Sequence, residues 1–101
     1  GAIFVTYSFA QEGAQDGSGI VNIVKEEKKV TALDIRGNRG ISTSVILSKI
    51  KTRLNRNYSA YIARDDIKRL YNTGFFSDIR IELEDFKDGV RVIFLVAENP
   101  I

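Results

Sequence analysis

A chain of 101 residues has room for one domain and excludes a second independent core. It contains no His, Cys, Met or Trp, which removes the usual general base, thiolate chemistry, disulfide staples and two common partner-binding anchors. The formal charge of +2 is unevenly placed: residues 36–69 are rich in Arg and Lys, opposed only by Asp65 and Asp66, whereas residues 70–98 are mainly acidic. Such blocks read first as solvated faces.

Residues 1–29 read as a lead segment set apart from the fold. Ala2, Ile3, Phe4 and Val5, with Tyr7 and Phe9, are apolar, and a Gly-rich polar run follows over residues 11–19. Ser8-Phe9-Ala10 before Gln11 has the small-x-small spacing of a signal-peptide cleavage point. The lead is therefore either a signal remnant or a flexible or tag-derived arm. The apolar patch at residues 20–24 stays open between an extra edge strand and an ordered lead-in. No apolar run approaches the ~20 residues that a membrane-spanning helix needs.

Residues 30–36 predict the first strand, with Leu33 and Ile35 inward and Gly37-Asn38 as the turn that ends it. Ser42 is a good N-cap for the first helix, and Ile41 is placed to staple onto Ile46. Ile46, Leu47, Ile50 and Leu54 make its expected buried stripe. Asn55-Arg56-Asn57 breaks that helix, and Ser59 caps a second one running to about Asn72. Two helices joined by so short a loop pack antiparallel. Ala63, Ile67, Leu70 and Tyr71 recur at i, i+4, i+7, i+8 on the second helix, and Gly74 stands where a left-handed residue ends it.

Phe75-Phe76 follows the glycine, with Phe76 expected beneath the helices and Phe75 more exposed. Ile79, Ile81 and Leu83 then alternate with Arg80, Glu82 and Glu84, a half-buried strand suited to a sheet edge. Asp88-Gly89 is a turn dipeptide. Beyond it, Val90, Val92, Phe94 and Val96 face one way and Ile93 and Leu95 the other, so this strand belongs in the centre. Counting chain reversals gives an α+β domain of order β-α-α-β-β. Its mixed three-stranded sheet has the order 1-3-2, with two antiparallel helices on one face. The second apolar face, at Ile93 and Leu95, calls for cover from a neighbouring domain or from residues 20–24.

Enzymatic chemistry finds no support. A Ser nucleophile lacks a His base, and the adjacent Asp65 and Asp66 do not face each other on a helix. They read as helix-surface charge, with Asp66 tied to a backbone amide or an Arg. Glu84, Asp85 and Asp88 lack the loop length of a calcium site. No catalytic, metal or cofactor residue is assigned. Gly37-Asn38-Arg39-Gly40 has the G-x-x-G form of a KH loop, but the KH loop lies between its two helices and this one precedes the first. What remains is recognition through the backbone of an exposed edge. Ile79, Arg80, Ile81, Glu82, Leu83 and Glu84 form the candidate peptide-binding strand.

One motif runs through Asp66-Ile67, Leu70-Tyr71, Thr73-Gly74, Phe76 and Asp78-Ile79, after Gly37-Asn38 and before Val96, Glu98 and Pro100. It resembles the signature of the POTRA domain, the polypeptide-transport-associated module of BamA-like outer-membrane β-barrel assembly proteins. The resemblance covers residues 30–101 as a single domain and gives Gly37, Asn38, Asp66, Leu70, Tyr71, Gly74 and Phe76 structural roles. It implies a non-enzymatic periplasmic domain of an outer-membrane protein assembly factor, the first of several repeats, without a cofactor. The partners it implies are unfolded outer-membrane protein segments, accessory lipoproteins, adjacent POTRA domains and a C-terminal membrane barrel, with no nucleic acid and no small-molecule substrate. The alternatives are a KH-like module for single-stranded RNA and a passive spacer.

Overall fold

A computed structural model describes residues 27–100 of the protein. The expected strand or lead-in at residues 20–24, like the apolar lead before it, lies outside the described residues. The elements follow in the order β1 (Val30–Arg36), α1 (Thr43–Lys49), α2 (Ala60–Asn72), β2 (Phe76–Phe86) and β3 (Gly89–Glu98). The sheet order is β1-β3-β2, parallel between β1 and β3 and antiparallel between β2 and β3. This is the mixed topology that the alternation patterns and chain reversals predict, with both helices on one face.

Register explains why the pattern resolves in this way. Leu33 and Ile35 of β1 lie beside Val92 and Phe94, and across β3 these face Leu83 and Ile81. Each row is apolar, so the helix-facing side becomes one continuous core. Phe94, Val92, Ile46 and Leu70 are fully buried within it. Burial of a side chain of this size contributes about 2–3 kcal/mol each. Phe76 joins that core while Phe75 remains 39% exposed, and the two rings meet edge-on at 6.0 Å. On the opposite face, Ile93 sits between Asp34 and Glu82 in register and is only 1% exposed; Leu95 is half-buried.

Both helix caps match the sequence. The Ser42 hydroxyl accepts from the Val45 N–H, and the Ser59 hydroxyl accepts from the Ile62 N–H. Gly74 takes a φ of +80° after α2, the left-handed position that non-glycine residues resist.

Three local expectations are corrected. First, α1 is shorter than its apolar stripe. It stops at Lys49, and Ile50 already has an extended backbone (φ −112°, ψ 161°). Leu54 therefore leaves the stripe and is 50% exposed. The cause is tertiary: the Lys51 and Thr52 amides, which a longer helix would turn back on itself, donate to Asp66 instead. Second, Asp66 has the expected tie to backbone amides but does not lie on the surface. It is fully buried, and its carboxylate accepts from the Lys51 N–H (2.7 Å), the Thr52 N–H (3.0 Å) and the Thr52 hydroxyl (2.6 Å). Third, the hairpin turns one residue early. Lys87 and Asp88 have φ of 50° and 63°, and Gly89 pairs with Phe86. Two consecutive left-handed residues give the tight turn whose twist suits a hairpin, and the apolar rows fix where it falls.

Candidate functional site: an open sheet edge beside a helix

In a 1-3-2 sheet β1 and β2 are the two edges. They are finished differently. The connection between α1 and α2 runs along the start of β1. Val30 donates to the Arg56 carbonyl and accepts from the Asn55 N–H, both at 2.8 Å, and Tyr58 donates to the Lys28 carbonyl. Lys29 and Asn57 form an isolated antiparallel bridge there. That side of β1 is thus paired at its beginning.

At its other end, β1 runs into Gly37, whose φ is +95° and whose missing Cβ would overlap the Val96 carbonyl oxygen. The chain then turns so that the N–H groups of Arg39, Gly40 and Ile41 all donate to the Glu98 carboxylate. These amides, led by that of Arg39, hold the Glu98 carboxyl below its ordinary pKa. Arg39 and Gly40 belong to the G-x-x-G segment and Ile41 follows it directly. Here three successive N–H groups serve an internal acceptor. Asn38 reinforces the turn, with its Nδ2 donating to the Ile41 carbonyl at 2.7 Å.

The β2 edge carries the six candidate residues, and a single hydrogen bond sets its phase. The Ile79 N–H donates to the Tyr71 hydroxyl at 3.1 Å, so it points away from β3 and toward α2. Inward- and outward-bonding residues alternate along an antiparallel ladder. Ile81 and Leu83 therefore also direct N–H and C=O outward, whereas Arg80, Glu82 and Glu84 bond inward to β3. The opposite strand agrees: Val90, which pairs with Asp85, turns its N–H to the Lys29 carbonyl on the β1 side. Among the described residues, no hydrogen bond reaches the outward groups of Ile81 or Leu83.

Two chemically different surfaces border this edge. On the helix side lie Ile81 and Leu83, both partly buried against the core. The flank of α2 facing away from Asp66 presents Ile67 and Tyr71 one turn apart, with Arg64 and Lys68 beside them. On the other side of the sheet the strand shows Arg80, Glu82 and Glu84. Arg80 pairs with Asp78 (3.1 Å), and Arg91 pairs with Glu84 (2.9 Å) while lying 4.0 Å over the Phe86 ring. The edge is apolar on one side and charged on the other. It can add an extended strand of matching alternation.

Sequence reasoning found the edge and missed the groups that finish the two edges. A Tyr within an apolar helical stripe carries a signal, because its hydroxyl needs a partner, but the partner eight residues away depends on the turn at Gly74. Glu98 and the segment it holds are separated by almost the whole fold, and no local pattern links them. Among the described residues there is no group of three or more acidic side chains placed to hold a metal ion. Nor is any helix among them long and apolar enough to cross a membrane, which leaves β-barrels unaddressed.

A β-α-α-β-β order with this sheet topology defines a small α+β domain class. The family model for POTRA, described as a surface antigen variable number repeat, matches residues 28–99. The chain belongs to the POTRA family. It is 27% identical over 71 residues to the outer membrane protein assembly factor BamA of Nitratidesulfovibrio vulgaris, covering 70% of this chain and 9% of that protein. It is 31% identical over 81 residues to the BamA of Buchnera aphidicola, covering 78% of this chain and 12% of the relative. Among solved structures it resembles POTRA1-2 of the periplasmic domain of Omp85 from Anabaena, with a TM-score of 0.67 and 28% identity over 77% of this chain and 51% of that one. The chain thus spans about a tenth of the length of the curated relatives it matches.

Proposed function

We propose that this is a periplasmic POTRA domain of an outer-membrane protein assembly factor, and that it binds unfolded outer-membrane protein segments by strand addition along β2. Docking to adjacent POTRA domains or accessory lipoproteins belongs to the same reading, as does a membrane barrel elsewhere in the full protein. The observation that carries it is the outward-facing ladder at Ile81 and Leu83, with no partner among the described residues and an apolar helix flank alongside. The family membership and the names of the two assembly-factor relatives support the setting.

Recognition of this kind goes to the main chain, so it tolerates many guest sequences. A handful of backbone hydrogen bonds, each about 1 kcal/mol net, barely exceed the cost of ordering the guest. Affinity for one domain is expected on the order of tens of micromolar or weaker. Such binding is reversible and suits transient handling of unfolded strands.

An amide chemical-shift titration with a strand-length peptide of alternating apolar and polar residues tests this, run beside a single-stranded RNA. Shifts centred on residues 79–84 and the Ile67–Tyr71 flank are expected. Salt-sensitive shifts at residues 37–40 with RNA would replace the reading with nucleic-acid binding. Silence with both would leave a spacer.

A further inference from the structure

We infer that the Tyr71 hydroxyl sets the register of any strand added to β2, by filling the place that a guest carbonyl would take at the Ile79 N–H. This rests on the strand-addition reading and deepens it to a positioning residue and a guest pattern. The Ile79 N–H is the first outward donor after the irregularity between Phe76 and Asp78. It is already bonded at 3.1 Å to a hydroxyl delivered from the end of α2. That hydroxyl is well anchored, because Gly74 and the edge-on Phe75–Phe76 pair fix the turn between helix and strand.

A guest therefore begins pairing at the Ile79 carbonyl and continues through both groups of Ile81 and of Leu83. By the same alternation Asp85 is the last outward position before the turn at Lys87-Asp88. The usable window runs from Ile79 to Asp85.

The window also selects a side-chain pattern. Residues directly opposite each other across a strand pair point to the same face. Guest residues opposite Ile81 and Leu83 would thus meet the apolar flank at Ile67 and Tyr71. Their neighbours, opposite Arg80, Glu82 and Glu84, would meet charge. The fitting occupant is an extended peptide with apolar residues at every second position and polar residues between. A uniformly apolar peptide would leave half its side chains against that charged face.

The experiment is residue-resolved amide exchange on the full chain, with and without an alternating Leu/Thr peptide, in the natural protein and in Tyr71→Phe. In the natural protein the peptide should slow exchange at Ile81 and Leu83 and leave Ile79 unchanged. In Tyr71→Phe the free Ile79 amide should exchange about tenfold faster, become protected once peptide binds, and raise the affinity about fivefold, the worth of one more backbone bond. Tyr61→Phe, at a tyrosine 81% exposed on the same helix, should change none of these. If peptide protects Ile79 in the natural protein, or if Tyr71→Phe leaves Ile79 unprotected on binding, the register assignment falls and strand addition stands. If no peptide binds either protein, both fall. The natural protein alone decides the first point should the variant fold poorly.

Discussion

The two edges of this sheet share a partner strand and differ in how they are finished. β1 is paired at its start by residues 55–58 and tied at its end through the Glu98-held turn. β2 is longer and carries a single tyrosine hydroxyl on its outer side among the described residues. Edge strands invite unwanted pairing, and folds commonly cover them, shorten them or charge them. Among the described residues, one edge is covered by a loop of the chain and the other has no strand or loop paired to it beside the Ile67–Tyr71 flank. The contrast shows that, among the described residues, the two edges of one sheet need not be finished alike.

The largest expected effect comes from Asp66, whose carboxylate holds the chain just before the segment that covers β1. Asp66→Ala leaves two amides and the Thr52 hydroxyl without their acceptor in a buried site. It should cost about 4 kcal/mol in urea unfolding and speed amide exchange at Val30, while exchange at Glu82, which bonds inward to β3, keeps its relation to global stability.

A pair of proline substitutions tests the phase of the β2 edge directly. Glu82→Pro removes an N–H that bonds inward, whereas Ile81→Pro removes one that points out. Despite the larger side chain lost at Ile81, Glu82→Pro should unfold at lower denaturant, by about 2 kcal/mol. Ile81→Pro should abolish peptide binding. The reverse order of stability would show that the assigned phase is wrong.

A smaller effect is expected at Asn55, which holds φ +69° while its N–H pairs with Val30. Asn55→Val places a β-branched residue in the left-handed region and should cost about 1–2 kcal/mol. Asn55→Gly should be close to neutral. The same thermal melts would read both.

The subtlest effect is that of pH at the far end of β1. The folded Glu98 carboxyl has a lowered pKa, through the Arg39 amide first and those of Ile41 and Gly40 besides. Its contribution is therefore fully present above the unfolded-state value of about 4.3 and is lost as pH falls through the lower folded value. Glu98→Gln should flatten the acid side of the stability profile and weaken amide protection at residues 39–41. A profile identical to the natural protein's would show that the three amides do not hold the charge.

The comparison also separates what was legible in the chain. The alternation around Ile79, Ile81 and Leu83, the doubly apolar β3 and the caps at Ser42 and Ser59 are local patterns, and they produced the elements and their order. Gly74 stopped α2 where its position required. The edge strand was legible because charged residues alternate along it. The length of α1 was not. Its apolar stripe continues to Leu54, and the helix ends early because a carboxylate distant in sequence competes for its amides. The turn at Lys87-Asp88 was likewise decided by register, with the apolar rows outweighing the preference of Asp-Gly.

By itself, then, the sequence determined one small α+β domain, its strand order, its core rows and the family to which it belongs. The elements and rows follow from periodicity, because hydrophobic burial acts on each segment's own face, and the family follows from the motif around Leu70-Tyr71 and Gly74. Only the tertiary structure decided which edge is covered, which tyrosine fills an outward position on the other, and which carboxylates hold turns far from them in sequence. Those outcomes rest on directional hydrogen bonds between distant segments. A bond of that kind depends on where the folded chain places a donor and an acceptor, and no local pattern records it.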